Sequence, residues 1–248
     1  MQLADRFTHG LRILRAIAWN SFRVAVRNKV FYALFIVAIA LMAFGLVLGS
    51  MSLHHERRVV TNLTLFSTTV FGAAMAIYMS VSLFHAELEQ RTIYTILSKP
   101  VRRWQYLLGK YLGNLFTLGL ITLLLGAVSA GLLSLQGGAI DTSFFVAFAL
   151  IACQLAIISA ISTLFVSFSQ PLISGLFACG VFILGHLHSQ IRQVTQLTDW
   201  APVDGLVGLL EIVIPDLAAF NIAATVIYDL PVTFAYLQTA GGYTILYS

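Results

Sequence analysis

The 248-residue chain is 59% hydrophobic and 10% charged, with a mean hydropathy of +0.90. Soluble domains carry about 25% charged residues, so a single water-soluble domain is excluded because it could not cover its surface with polar groups. Aromatics at 12% exclude a disordered chain, and the net charge of +4 falls in blocks beside apolar runs, with no motif for binding nucleic acid.

Residues 1–29 hold Arg6, Arg12, Arg15, Arg23, Arg27 and Lys29 against Asp5 alone. An Arg-rich, acid-poor start also suits a mitochondrial presequence. Here, however, Arg12, Arg15, Arg23 and Arg27 share one helical face with Trp19, and Leu11, Leu14, Ala18, Phe22 and Ala25 share the other. That spacing predicts an interfacial helix over 1–29, its basic face toward anionic lipid. It is no signal peptide, because the apolar run that follows is of spanning length and lacks a small-residue cleavage site.

A spanning helix needs about 20 apolar residues. Val30–Gly49, Asn62–Phe84, Leu107–Leu135, Ser143–Phe168 and Pro171–Leu187 supply 20, 23, 29, 26 and 17, and Lys110 near the start of the third is their one charge. The expected fold is an all-α integral membrane protein, a five-span bundle over 30–187 with a connecting segment at 85–110. Lysines and arginines count 6 before the first span, 2 in the first loop, 5 in the second, none in the third and 1 after Leu187. This places the N-terminus and the 85–110 segment in the cytoplasm. Residues 188–238 then lie outside, and Asp199, Asp204, Glu211, Asp216 and Asp229 make that segment acidic. Residues 239–248 read as the start of a sixth span that stops early, since ten residues rise only about 15 Å of the roughly 30 Å needed.

Seven of the 24 charged residues fall between Glu87 and Lys110. Glu87, Glu89 and Arg91 lie on the exposed side of a short amphipathic helix whose other side is Leu88, Thr92 or Ile93, and Ile96 or Leu97. Pro100 breaks that helix, and Arg102, Arg103 and Trp104 suit headgroup anchors for the next span. An ordinary positive-inside loop explains the basic residues but not the paired acids or the proline-split helix.

The motif E-x-E-x-x-T-I-x-x-x-L-S-K-P-V-x-R-x-x-Y-L-L-G-K over 87–110 resembles the loop between the second and third spans of type-2 ABC exporter permeases. The nearest branch is similar to the multi-copper enzyme maturation permeases. The resemblance implies a coupling helix that docks on a separately encoded P-loop ATPase, which would hold ATP and magnesium. Glu87, Glu89, Arg91 and Thr92 would meet that subunit, while Leu97 and Pro100 would fix the turn. Arg102, Arg103, Trp104, Gly109 and Lys110 would set the third span at the inner surface. Arg91 departs from the pattern, standing where many members have glycine. The basic first helix is similar to the family's elbow helix, and Gly185-His186 and Pro215–Asn221 resemble features of the same branch.

Other chemistries find less support. Gly109-Lys110 precedes Tyr111 and lacks the first glycine of a G-x-x-x-x-G-K-[ST] loop, so ATP hydrolysis is expected on the partner and no enzyme activity here. No span carries an ionisable residue at its middle, which argues against proton or sodium coupling. His54 and His55, with Glu56, and His186 and His188 are placed on the outer side, where they are weak candidates for a zinc or copper site. Cys153 and Cys179 read as small buried hydrophobes. Serines within the spans have no base beside them, apart from Ser82 three residues before His85, and are expected to bond helix carbonyls. Gly45/Gly49, Gly72/Ala76/Ser80 and Gly109/Gly113 permit close helix packing, either within the chain or at a homodimer seam.

The expected protein is therefore a multi-pass permease subunit of the bacterial plasma membrane, its N-terminus cytoplasmic. It would work as a homodimer with an ATPase and in contact with lipid, and carry a lipidic or amphiphilic cargo. The alternatives are a membrane scaffold for an external metalloenzyme, docking through the acidic outer segment, and a metalloenzyme using the outer histidines.

Overall fold

In hydrocarbon every backbone N–H and C=O must be paired within the chain, and an α-helix does so locally. The computed structural model describes residues 2–51, 56–89, 103–136 and 141–197, with Leu217, Phe220, Gly242 and Thr244. Among the described residues there are six helices and no strands: α1 (Gln2–Val26), α2 (Lys29–Met51), α3 (Glu56–Glu89), α4 (Arg103–Leu135), α5 (Thr142–Phe168) and α6 (Pro171–Leu197). Four of them, α2 to α5, are long and apolar enough to cross a membrane. The fifth apolar stretch, Pro171–Leu187, is shorter, and its helix continues ten residues to Leu197. His188 to Gln196 are polar but contain no glycine or proline, so nothing in the chain stops the helix where the apolar run ends. The expected short helix before Pro100 and most of the outer acidic segment and tail lie outside the described residues.

The corners are set by residues suited to them. Asn28 caps α2, its Oδ1 accepting from the Val30 N–H at 3.0 Å. Its amide also donates to the Tyr78 hydroxyl of α3 at 3.0 Å, so one side chain both starts α2 and ties the α1–α2 corner to α3. Between α5 and α6 only Ser169 and Gln170 intervene. The Ser169 N–H bonds the Phe165 carbonyl, and Pro171 takes the first helical position, where a missing N–H costs nothing. At the other end Arg57 pairs with Asp141 at 3.2 Å, joining the starts of α3 and α5. Both partners are about half exposed, so this pair fixes register more than it stabilises.

Helix α5 sits at the centre, packed by α3, α4 and α6, while α2 lies on α3 and α1 on α4. Fourteen α5 residues are buried, from Phe144 to Val166. Glycines allow the close approaches: a side chain at Gly72 would meet Leu155 of α5 at 2.8 Å, and Gly45 and Gly49 lie against Leu63 and Val60 of α3. Leu217 and Phe220 join the same apolar core, so this part of the chain after α6 returns to the bundle. Serine and threonine hydroxyls mostly bond carbonyls one turn back, as Thr68 does to Thr64 at 2.8 Å and Ser162 to Ile158 at 2.7 Å. Cys153 is half-buried, and Cys179 is exposed rather than buried because it lies on the outward side of α6.

Helix α1 divides as its sequence suggests. Arg12, Arg15, Trp19 and Arg23 are exposed, and Ser21 and Ala25 are buried. The Arg23 guanidinium lies 5.7 Å from the Trp19 ring centroid. Its less polar stripe covers protein: Leu14 and Ile17 lie at Gly109, Ala18 and Ser21 at Gly113, and Phe22 at Phe116 with ring centroids 5.1 Å apart. The contacts advance together along both helices, so α1 and the first turns of α4 run side by side in the same sense.

A Cβ at Gly113 would fall 2.5 Å from the Ala18 carbonyl oxygen, whereas one at Gly119 meets nothing within 4 Å. Gly113→Ala is therefore expected to destabilise the detergent-solubilised protein by about 1–3 kcal/mol. Gly119→Ala should leave it unchanged or raise its stability by up to about 1 kcal/mol. Thermal unfolding of the two variants checks this, and equal midpoints would refute the α1–α4 contact.

Candidate functional site

The segment from residue 85 to 110 begins in the last turn of α3 and ends in the second turn of α4. Glu87 and Glu89 are helical residues of α3 and Arg103 opens α4, while Arg91, Thr92, Leu97, Pro100 and Arg102 lie outside the described residues. The structure thus fixes which two helices enter and leave this segment.

Of the residues expected at the inner end of the third span, Trp104 is half exposed, as an interfacial aromatic would be. Gly109 is a contact surface for α1, with Ile17 side-chain atoms 2.9 Å from the position a Cβ would occupy. Lys110 is only 2% exposed, and its Nζ lies 4.9 Å from the Tyr106 ring centroid, a cation–π contact that offsets part of the cost of burying the charge.

One turn further along α4, Asn114 is buried among three helices. Its amide nitrogen donates to Ser80 Oγ of α3 at 2.9 Å and to Ser159 Oγ of α5 at 2.7 Å. The Ser80 hydroxyl in turn donates to the Ser159 carbonyl at 3.4 Å. Asn114 Oδ1 has no hydrogen-bond partner. A buried acceptor left unpaired costs about 1–3 kcal/mol.

A second polar contact joins α5 and α6. Gln154 Nε2 lies 3.2 Å from His186 Nε2, and His186 Nδ1 lies 3.1 Å from the Phe182 carbonyl. The arrangement fits a neutral ring carrying its proton on Nδ1, which donates to Phe182 while Nε2 accepts from Gln154. Gln154 is twelve residues from the start of α5 and fourteen from its end. His186 is therefore level with the middle of α5 and not beyond the outer end of a span, because α6 continues past Leu187. The expectation that no span holds an ionisable residue near its middle is corrected by this pair.

The other candidate histidines are not brought to it. His54 and His55 lie outside the described residues, and His188 is placed only as a residue of α6. Among the described residues no group of three His, Cys, Asp or Glu side chains comes together.

The arrangement is a helical membrane bundle with a charged segment entering between α3 and α4 and polar contacts at its helix junctions. The family model described as ABC-2 family transporter protein matches residues 15–215. The chain belongs to this family. Its members are membrane-spanning transporter subunits generally paired with an ATPase subunit, and the match runs from α1 through the outer segment. Among curated proteins, none matches the chain in sequence.

The inter-helix polar residues were not singled out from the sequence. Asn114 and Gln154 are the polar amides within otherwise apolar spans, and that alone marks them as contact points, since a buried amide needs partners. Which helices supply the partners is not written locally.

Because both ring nitrogens of His186 are engaged within the chain, His186→Gln is expected to leave the zinc and copper content of the purified protein unchanged. Stability should fall by about 0.5–1.5 kcal/mol, the usual worth of a hydrogen bond. Elemental mass spectrometry with thermal unfolding checks both, and loss of bound metal in the variant would assign the histidine a ligand role.

Proposed function

We propose that the chain is the permease subunit of a type-2 ATP-binding cassette exporter. It works as a homodimer with two copies of a separate ATPase, in the bacterial plasma membrane with its N-terminus cytoplasmic. The observation that carries this reading is the family match across residues 15–215, which includes the segment between α3 and α4 with its paired acids and proline. In this reading α1 is the elbow helix, residues 30–187 form five spans and 188–238 an external segment. The branch is that of the multi-copper enzyme maturation permeases.

Glu87, Glu89, Arg91 and Thr92 contact the ATPase, with Leu97 and Pro100 shaping the turn. Arg102, Arg103, Trp104, Gly109 and Lys110 set the inner end of α4. ATP and magnesium stay on the partner, whose closure pushes the 87–99 segment and re-angles α3 and α4. The path runs between protomers, and its apolar and small polar walls suit an amphiphilic cargo.

Reversing the charge of a contact patch costs association strongly when like charges are brought together. The double variant Glu87→Arg, Glu89→Arg is expected to insert and fold as the wild type. It should lose co-purification with the ATPase, or lower the ATPase activity that the permease stimulates by about tenfold, near 1.4 kcal/mol of coupling. A variant that keeps both the complex and the stimulation would remove the coupling assignment.

A further inference from the structure

We infer that Asn114 is the positioning residue through which α3 and α4 move α5. The inference rests on the proposed role of the α3–α4 segment as the place where the ATPase acts. Asn114, Ser80 and Ser159 are 2%, 1% and 0% exposed and belong to α4, α3 and α5 in turn. One amide group therefore joins the two helices that bracket residues 90–102 to the central helix, through hydrogen bonds of 2.9 and 2.7 Å. Ser80 lies nine residues before the end of α3 and Asn114 eleven after the start of α4. At about 1.5 Å per residue, the junction sits roughly 14 and 17 Å from where a push would enter.

Helix α5 has no direct chain connection to that segment. It follows α4 only at the opposite end of the bundle, through residues 136–141. A displacement of the inner ends of α3 and α4 thus reaches the inner half of α5 through side-chain contacts alone. The apolar contacts, Gly72 with Leu155 and Gly126 with Phe148, are non-directional and allow sliding. The amide bridge is directional, and the Tyr111 hydroxyl adds a longer contact to the Ala156 carbonyl at 3.4 Å.

The unpaired Oδ1 gives the second argument. A leucine of similar size would fill the site without an orphaned acceptor, so a residue serving resting stability alone would be apolar. An amide offers more. Serine hydroxyls both donate and accept, so rotation of the Asn114 amide, exchanging nitrogen for oxygen, keeps contact with both serines while the helices shift. The junction has two hydrogen-bonded arrangements and is bistable in the sense that transmission requires.

The test is Asn114→Leu in the full chain, assembled with its ATPase. Three readouts are needed: complex formation, the thermal midpoint, and ATP hydrolysis stimulated by the permease. The expected result is an intact complex, a midpoint no lower than wild type, and stimulation reduced at least about tenfold, within the usual range of coupling between sites. Stimulation retained at the wild-type level would overturn the inference. So would stimulation and midpoint falling together, which is the signature of a merely structural contact. If Asn114→Leu does not fold, Ser159→Ala removes one acceptor only. It should then lower stimulation at an unchanged midpoint, and unchanged stimulation would overturn the inference. Failure of the wild-type chain to bind or stimulate any ATPase would instead overturn the permease reading, and this inference with it.

Discussion

Helix α5 is gripped from three sides, and the position of every other helix follows from that grip. In a bilayer, lipid tails are as apolar as leucine, so burying apolar surface does little to bring helices together. Close packing and inter-helix hydrogen bonds do this work. Here α3 approaches α5 through Gly72 against Leu155, α4 through Gly126 against Phe148, and α6 through Gln154 with His186 and Phe165 with Phe177. Each approach pairs a small residue with a large one or sets two polar groups together. Helices α1 and α2 touch α5 little and instead extend α4 and α3 outward.

Much of this bundle was legible in the sequence because its signal is run length. The expected runs Leu107–Leu135 and Ser143–Phe168 end with α4 and α5, and Val30–Gly49 falls one or two residues inside α2. Helix α3 is longer than its apolar run because Glu56, Arg57 and Arg58 are good helix formers at an exposed end. The same effect hid the true length of α6 and with it the depth of His186. An apolar run measures hydrocarbon and not helix, and the two differ wherever polar residues continue the helical backbone.

Partner choice was not legible. Gly109 and Gly113 were read as allowing close packing with either another part of the chain or a second copy, since four-residue spacing of small side chains permits both. The structure fills that groove with Ile17, Ala18 and Ser21 of α1. For the candidate contact residues, the sequence supplied Glu87, Glu89, Trp104 and Lys110 as a charged and aromatic block. It did not indicate that Lys110 is enclosed while Trp104, six residues earlier, is half exposed. That division arises because α4 turns one face to α3 and α5 and another outward, and only tertiary packing decides which face is which.

These pairings bear on how a push between α3 and α4 would spread. Helix α2 is bound to α3 by Gly45 and Gly49, by Ser67, which donates to the Ala38 carbonyl at 2.9 Å, and by the Asn28–Tyr78 bond at their shared corner. Helix α1 is bound to α4 along its first turns. Moving α3 therefore carries α2, and moving α4 carries α1, so the proposed input acts on two helix pairs and not on two single helices. Both pairs meet α5 at the Asn114 junction. The short Ser169–Gln170 corner and the Gln154–His186 contact then make α6 follow α5. A bundle joined in this order has few ways to respond to force at residues 90–102, and the simplest is rotation of the two pairs against the α5–α6 hairpin. Such a motion leaves the contacts within each pair intact. The hydrogen bonds it must rearrange are those at Asn114, where one acceptor already lacks a partner.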